Sequence, residues 1–138
     1  LSGTVFEFDH AREAFPCFDE PEFKAKFRIS LIHHQNHTAL SNMPLTSSHS
    51  FGNEAGWVAD HFNNTPILSS YLVAFHLLKS DFKETKTEDG RPLRVWASTK
   101  QLRWANNSLN VALRALSLLE QFTGFLDPLP KQDLVVAP

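Results

Sequence analysis

The chain has 138 residues, a formal net charge of −2 at pH 7 and 42% hydrophobic residues. This composition is typical of a folded globular domain rather than a disordered chain, and the weak charge excludes the basic surface that a nucleic acid or an anionic membrane requires. No apolar stretch reaches the ~20 residues that cross a bilayer, and a single cysteine excludes an internal disulfide.

Residues 1–98 carry the short alternating patterns of a mainly β domain. Residues 24–32 alternate apolar and charged side chains, which is typical of a strand with one face in solvent. Residues 67–77 are almost continuously apolar and predict a long strand buried on both faces. The remaining patterns predict strands at 3–8, 38–43, 57–62, 81–87 and 93–97, with a Ser-rich loop or edge strand at 46–53.

A proline-bounded corner lies at residues 11–21. Pro16 and Pro21 fix their own φ and push the preceding residues toward extended geometry, so we expect neither a helix nor a regular strand to run through it. Its apolar side chains are predicted to be buried, namely Phe15, Cys17 and Phe18. Its charged side chains are available to pair with each other or with nearby backbone, namely Arg12, Asp19 and Glu20.

The apolar period changes to that of a helix after residue 98. One stripe at helical spacing runs to about Gln121, with Asn107 or Ser108 as the expected N-cap and Gly124 as the expected stop. The stripe comprises Leu109, Ala112, Leu113, Leu116, Leu119 and Phe122. After the helix, another strand is predicted at 134–137.

Three groups of residues have a chemical character that permits two interpretations. His33, His34 and His37 could ligate a metal, but they share one polar turn without a nearby Cys or carboxylate, which favours a solvated hairpin loop. Cys17 could be a nucleophile or a core residue, and the core position is favoured. Asp19 with Glu20 could be an acid/base pair or structural partners of Arg12 or Lys24, and the structural role is favoured. The sequence therefore predicts no catalytic residue and no metal site within the chain.

Three sites fit the pattern for N-glycosylation, at Asn36, Asn63 and Asn106. About one such site is expected by chance in a chain of this composition, and each of the three falls at a predicted turn or element edge. The sites favour an extracellular or lumenal location.

The corner also carries a resemblance. Its sequence, Ala-Arg-x-Ala-Phe-Pro-Cys-Phe-Asp-Glu-Pro, resembles the signature of the M1 zinc aminopeptidases, the gluzincin family that includes aminopeptidase N and the oxytocinase group. Further blocks at 38–44, 71–75, 81–82, 94–97 and 128–133 follow in the family's order. The resemblance implies an antiparallel β-sandwich or saddle at 1–98, the later part of the N-terminal domain. It also implies that residues 99–138 begin a thermolysin-like catalytic domain, which one amphipathic helix opens.

The same resemblance implies the function of a larger parent protein. M1 enzymes release N-terminal amino acids from peptides with zinc held by a His-Glu-x-x-His motif and a distal Glu, none of which lies in this chain. The chain alone is therefore expected to bind no zinc and to be inactive. By resemblance, the parent would be a type II membrane ectodomain or a secreted protein. Any membrane anchor is expected in an N-terminal segment outside this chain. The resemblance also allows a homodimer of the parent.

One family contribution to the substrate site falls within these residues. A Gln-x-Glu segment of the family, which contacts the substrate's α-amine and S1 pocket, matches residues 5–7, so Glu7 would contact the amine. Val5 stands where the family has Gln. The alternative is that the parent is a catalytically silent M1 homologue that acts as a binding or adhesion protein.

Overall fold

The computed structural model describes residues 2–53 and 55–136, and the chain divides into two compact units, Leu1–Leu78 and Lys79–Pro138. Both units are built mainly from antiparallel strands, and a single long helix lies in the second, in agreement with the predicted fold class. The domain boundary predicted at residues 98/99 refers to the complete protein and stays a prediction.

The first unit contains two three-stranded sheets. Its elements in chain order are β1 (Ser2–Gly3), α1 (Ala11–Ala14), β2 (Ser30–His34), β3 (Thr38–Ser41), β4 (Leu45–Ser50), β5 (Trp57–Phe62) and β6 (Phe75–Leu78). One sheet has the order β1-β6-β3 and the other the order β2-β5-β4, and every pairing in both is antiparallel. The predictions for 38–43, 46–53 and 57–62 correspond to β3, β4 and β5.

An aromatic cluster forms the core of this unit. Phe6 is buried, and its ring meets those of Phe15 and Phe75 edge-on, with centroids 5.9 and 6.0 Å apart. Phe27 extends the cluster, since its ring lies 5.8 Å from that of Phe15. Edge-to-face contacts of this kind add stabilisation beyond the area that the rings bury. The cluster also packs on Ala11, Leu68 and Val73.

The prediction of one long buried strand at 67–77 is wrong. The segment turns through a 3₁₀ helix at Ser70–Leu72, and only Phe75–Leu78 forms a strand. The Ser69 hydroxyl donates to the Pro21 carbonyl at 2.8 Å, and the Ser70 hydroxyl bonds the Asp19 carboxylate. These two contacts hold the turn, and both partners lie about fifty positions away in sequence, beyond the reach of a local pattern.

The strand predicted at 24–32 is regular only from Ser30 onward. Before it, Ala25 bridges Leu68 and the Phe27 N–H donates to the Thr65 hydroxyl at 2.9 Å, so a side chain replaces one rung of the ladder. The predicted inward face is confirmed for Phe27 and Ile29, which pack against the aromatic cluster, but Ala25 of the same face is exposed. The strand predicted at 3–8 is also shorter, since β1 ends at Gly3.

The prediction of a solvated histidine turn is wrong for His33. His33 and His34 belong to β2, and only residues 35–37 form the turn. The His33 side chain is only 4% exposed; its Nε2 lies 3.0 Å from Asp60 Oδ2 and its Nδ1 lies 3.0 Å from the His34 carbonyl oxygen. His33 and Asp60 therefore form a buried, hydrogen-bonded pair between β2 and β5.

The second unit combines a hairpin with a helix and a parallel strand. It contains β7 (Asp81–Lys86), β8 (Pro92–Ala97), α2 (Ala105–Thr123) and β9 (Gln132–Val135). The hairpin β7–β8 turns at residues 88–90 as predicted, with Gly90 at φ +87°. β9 pairs parallel to β8, which the alternating pattern did not indicate. The predicted strand at 134–137 therefore begins earlier, and its residue 137 lies outside the described part of the chain.

The helix follows the predicted stripe at its centre and departs from it at both ends. Leu109 is buried with Leu93, Val95 and Ala105, and Ala112, Leu113 and Leu116 pack against them. Leu119 and Phe122, predicted in the same stripe, are exposed. The predicted N-cap at Asn107 or Ser108 is wrong because the helix begins at Ala105 after a 3₁₀ turn. The stop is confirmed: Gly124 adopts φ +71° and its N–H donates to the Glu120 carbonyl at 2.9 Å.

Candidate functional site

The segment at residues 5–8 alternates between the core and the surface. Phe6 inserts into the aromatic cluster, whereas Val5 and Phe8 are 84% and 80% exposed and Glu7 is exposed between them. A strand over residues 3–8 would place Phe6 and Phe8 on one face, whereas here only Phe6 is buried. Phe6 fixes the backbone of this segment and leaves the Val5 and Glu7 side chains open to solvent.

The chain turns immediately after Glu7. The peptide bond between Glu7 and Phe8 is cis, and the His10 N–H donates to the Phe6 carbonyl at 3.0 Å before α1 begins. Glu13 is engaged by His10, whose Nδ1 lies 2.8 Å from Glu13 Oε1, and this contact raises the pKa of His10. Within residues 2–53 and 55–136, the Glu7 carboxylate has no hydrogen-bond or ion-pair partner. Of these two acidic groups, Glu7 alone is free to meet a cation.

The corner after α1 is tied together by Asp19. Its carboxylate is 3% exposed and accepts hydrogen bonds from the Ser70 hydroxyl at 2.6 Å, the Arg12 N–H at 3.0 Å and Arg12 Nε at 3.2 Å. The Ser70 hydroxyl, with the two Arg12 donors, holds the pKa of the Asp19 carboxyl below its usual range. A buried carboxylate whose oxygens already accept three hydrogen bonds is a structural anchor, which is the interpretation that the sequence favoured.

The other residues of the corner agree only partly with the predictions. Cys17 is half-buried against the aromatic cluster, and burial raises the pKa of its thiol, which disfavours the thiolate that a nucleophile needs. Phe18 is 75% exposed and contacts Phe23, so its predicted burial is wrong. The single turn of α1 was not expected within the corner, although Phe15 is extended before Pro16 as predicted.

Asp19 gives a prediction about acid stability. Because its folded pKa is depressed, its contribution to stability is fully present above its ordinary pKa of 3.8 and is lost as pH falls through the folded value. Asp19→Asn is expected to lower the midpoint of thermal unfolding at pH 7 by several degrees. Below about pH 4, the midpoint of the variant should fall less steeply with pH than that of the wild type. Thermal unfolding of both proteins between pH 2 and 7 measures this, and parallel curves would contradict it.

The three predicted glycosylation sites are all exposed, but their surroundings differ. Asn36 lies in the turn after β2, and Asn63 follows β5. Asn106 lies in the first turn of α2, where its Oδ1 accepts from Lys83 Nζ at 3.1 Å. Thr65, which completes the Asn63 site, is 2% exposed and hydrogen-bonded to the backbone of Phe27.

Within the described ranges, no group of three or more His, Cys, Asp or Glu side chains is placed to hold a metal ion. The donor set therefore does not fit the zinc of an M1 enzyme. Of the helices in the described ranges, none has the length and apolar character that a membrane span requires.

Comparison with known proteins identifies the class of protein to which this fold and corner belong. Residues 1–72, more than half of the chain, match the family described as Peptidase M1 N-terminal domain. The chain therefore belongs to the M1 peptidase family.

Its relatives match over the whole chain. It is 39% identical to the thyrotropin-releasing hormone-degrading ectoenzyme of Rattus norvegicus, 41% identical to endoplasmic reticulum aminopeptidase 1 of Homo sapiens, and 39% identical to aminopeptidase Q of Felis catus. Each match covers all of this chain and 13–14% of the relative.

Two anchoring contacts of the first unit were not predicted from the sequence. The pairs Asp19–Ser70 and His33–Asp60 join residues 51 and 27 positions apart. Neither pair leaves a local signal, because Ser70 lies in an apolar run and His33 among other histidines. A pattern that reads neighbouring residues cannot find partners that only the fold brings together.

Proposed function

We propose that this chain is part of an M1 aminopeptidase that releases N-terminal amino acids from peptides. The observation that carries the proposal is the 39–41% identity, over the entire chain, to M1 proteins that include two named aminopeptidases. The zinc that such hydrolysis requires would be held by parts of the protein outside these residues, so the chain itself is proposed to be inactive.

The contribution of this chain would be recognition of the substrate's N-terminus by Glu7. An exposed carboxylate without a protein partner suits the α-ammonium of a peptide, because a charge-assisted hydrogen bond is stronger than a neutral one. Val5 would present an apolar surface beside it where the family has Gln. The buried Phe6 between them holds both residues in place.

The proposal is tested in the full-length protein with Glu7→Gln, which keeps the shape of the side chain and removes its charge. We expect kcat/KM for aminoacyl substrates to fall about 10- to 100-fold, since a hydrogen bond to a charged group is lost. Glu13→Gln is the matched control, because Glu13 is also exposed but is already paired with His10. Equal kcat/KM for Glu7→Gln and the wild type would remove Glu7 from the substrate site.

The second candidate, a catalytically silent binding or adhesion protein, is favoured by Val5. This residue replaces a polar family residue and is among the most exposed apolar side chains of the first unit. The two candidates differ in the wild-type protein: hydrolysis of aminoacyl substrates supports the enzyme, and its absence in a zinc-loaded full-length protein supports the silent homologue.

We further propose that the protein lies on the extracellular or lumenal side, with glycans at Asn36, Asn63 and Asn106. The exposure of the three Asn residues and the names of two relatives, an ectoenzyme and an endoplasmic reticulum aminopeptidase, support this. A membrane anchor of the full-length protein would lie outside the described residues.

Asn63 gives a prediction about the order of glycosylation and folding. Because the Thr65 hydroxyl becomes buried, the site is expected to be modified before the first unit folds and to be refractory in refolded protein. In secreted protein, Asn63→Gln should remove one glycan and leave stability nearly unchanged. Thr65→Ala should remove the same glycan and also lower the unfolding midpoint, because the Phe27 N–H loses its acceptor. Glycosidase-sensitive mobility and thermal unfolding measure both, and equal stabilities would contradict the structural role of Thr65.

A further inference from the structure

Two histidines lie side by side on one face of the sheet β2-β5-β4. Ala59 of β5 is opposite His49 of β4, so His49 is the diagonal neighbour of His61, two positions further along β5. Diagonal neighbours on adjacent strands are within reach of each other when their side chains are long. His33 and Asp60, by the alternation of the strands, lie on the opposite face.

The two rings are placed as the ligands of one ion would be. Their centroids are 5.8 Å apart and their planes differ by 48°. Two imidazoles that share a metal ion at nitrogen distances of about 2.1 Å put their centroids roughly 5 to 6 Å apart. The separation of the two rings therefore matches that of two imidazoles bound to a common ion.

The ring of His61 is already oriented by a neighbour. Its Nδ1 lies 2.7 Å from the Ser30 hydroxyl oxygen, on the strand at its other side. In one tautomer of His61, Nδ1–H donates to this oxygen and the lone pair of Nε2 is available to a metal. In metal-binding histidines, the ring nitrogen that does not bind the metal typically donates such a hydrogen bond. Among the described residues, neither His61 Nε2 nor the ring of His49 has a hydrogen-bond partner.

We propose that His49 and His61 form a surface site for a divalent transition-metal ion, with water completing the coordination. Imidazole nitrogens favour Cu²⁺ above Ni²⁺ and Zn²⁺. Arg28 lines the same cavity of about 490 Å³ as His61, and its positive charge limits the affinity for a cation. A bound ion would link the edge strand β4 to β5. This site is separate from the zinc of the M1 family, which these residues do not hold.

The experiment is a thermal-unfolding titration of the 138-residue chain with Zn²⁺, and with Cu²⁺ followed by its electron paramagnetic resonance spectrum. A native site raises the unfolding midpoint as metal is added, whereas histidines that bind independently in the unfolded chain lower it. The wild type should show the rise and two nitrogen ligands on Cu²⁺. His49→Ala should abolish the rise and leave at most one such ligand.

Further variants show whether the two rings act together. The double variant His49→Ala/His61→Ala should lose no more of the midpoint rise than either single variant, because one ion needs both rings. Ser30→Ala should weaken binding about 10- to 100-fold. His10→Ala, which removes an exposed histidine elsewhere in the same unit, should change nothing. A rise that survives His49→Ala, or that His10→Ala removes equally, would overturn the proposal; His49 is exposed, so its variant is expected to fold.

Discussion

Replacing His33 with Leu is expected to lower the free energy of unfolding by about 3–5 kcal/mol, because it leaves the carboxylate of Asp60 buried without its partner. A loss of this size is a large fraction of the stability of a small domain, so the variant is expected to be largely unfolded at 37 °C. Urea unfolding of the 138-residue chain at 25 °C, followed by circular dichroism, measures the difference.

The control is the double variant His33→Leu/Asp60→Val, which removes both partners of the pair and places apolar side chains on the buried face of β2 and β5. Replacement of a complete buried ion pair by apolar residues is often neutral, so most of the stability should return. If the double variant is no more stable than His33→Leu, the cost lies in packing and the buried pair is not its cause.

Phe6→Ala is expected to lower the free energy of unfolding of the first unit by about 3–5 kcal/mol, since it leaves a cavity among the rings of Phe15 and Phe75. In the full-length protein the same change should also raise KM for aminoacyl substrates, because the backbone that carries Glu7 loses its anchor. Denaturant unfolding and steady-state kinetics measure the two effects.

Phe8→Ala is the matched control for this change. It is the same substitution two residues later, at a side chain that is 80% exposed, and it should alter stability by no more than about 0.5 kcal/mol. Similar losses for Phe6→Ala and Phe8→Ala would contradict the alternation of this segment between core and surface.

Local patterns predicted the elements whose contacts are themselves local. The hairpin of β7 and β8 was read from alternation and a Gly turn, and the centre of α2 from its apolar stripe. Gly124 was recognised as the stop because a left-handed residue after a helix favours glycine. In each case, residues within a few positions of one another determine the conformation.

The candidate site depended on two different kinds of inference. The position of Glu7 came from resemblance, and its role stays a proposal that the full-length protein must test. The structural interpretation of Asp19 was favoured because the side chains of adjacent residues, Asp19 and Glu20, point in different directions. In the structure, Arg12 and Ser70 donate hydrogen bonds to the Asp19 carboxylate. The pairing of His49 with His61 was invisible in sequence, because twelve positions separate them and only the register of β4 and β5 brings them together.

The sequence by itself determined the family, the mainly β class and the amphipathic helix, because the corner at residues 11–21 and the short periodic patterns are properties of adjacent residues. The tertiary structure alone decided that residues 67–77 turn instead of forming one strand, that His33 is buried, and which carboxylates are free. Those outcomes depend on hydrogen bonds between residues far apart in the chain, such as Ser70 with Asp19 and His33 with Asp60. A polar side chain reveals its partner only once folding has brought the two together.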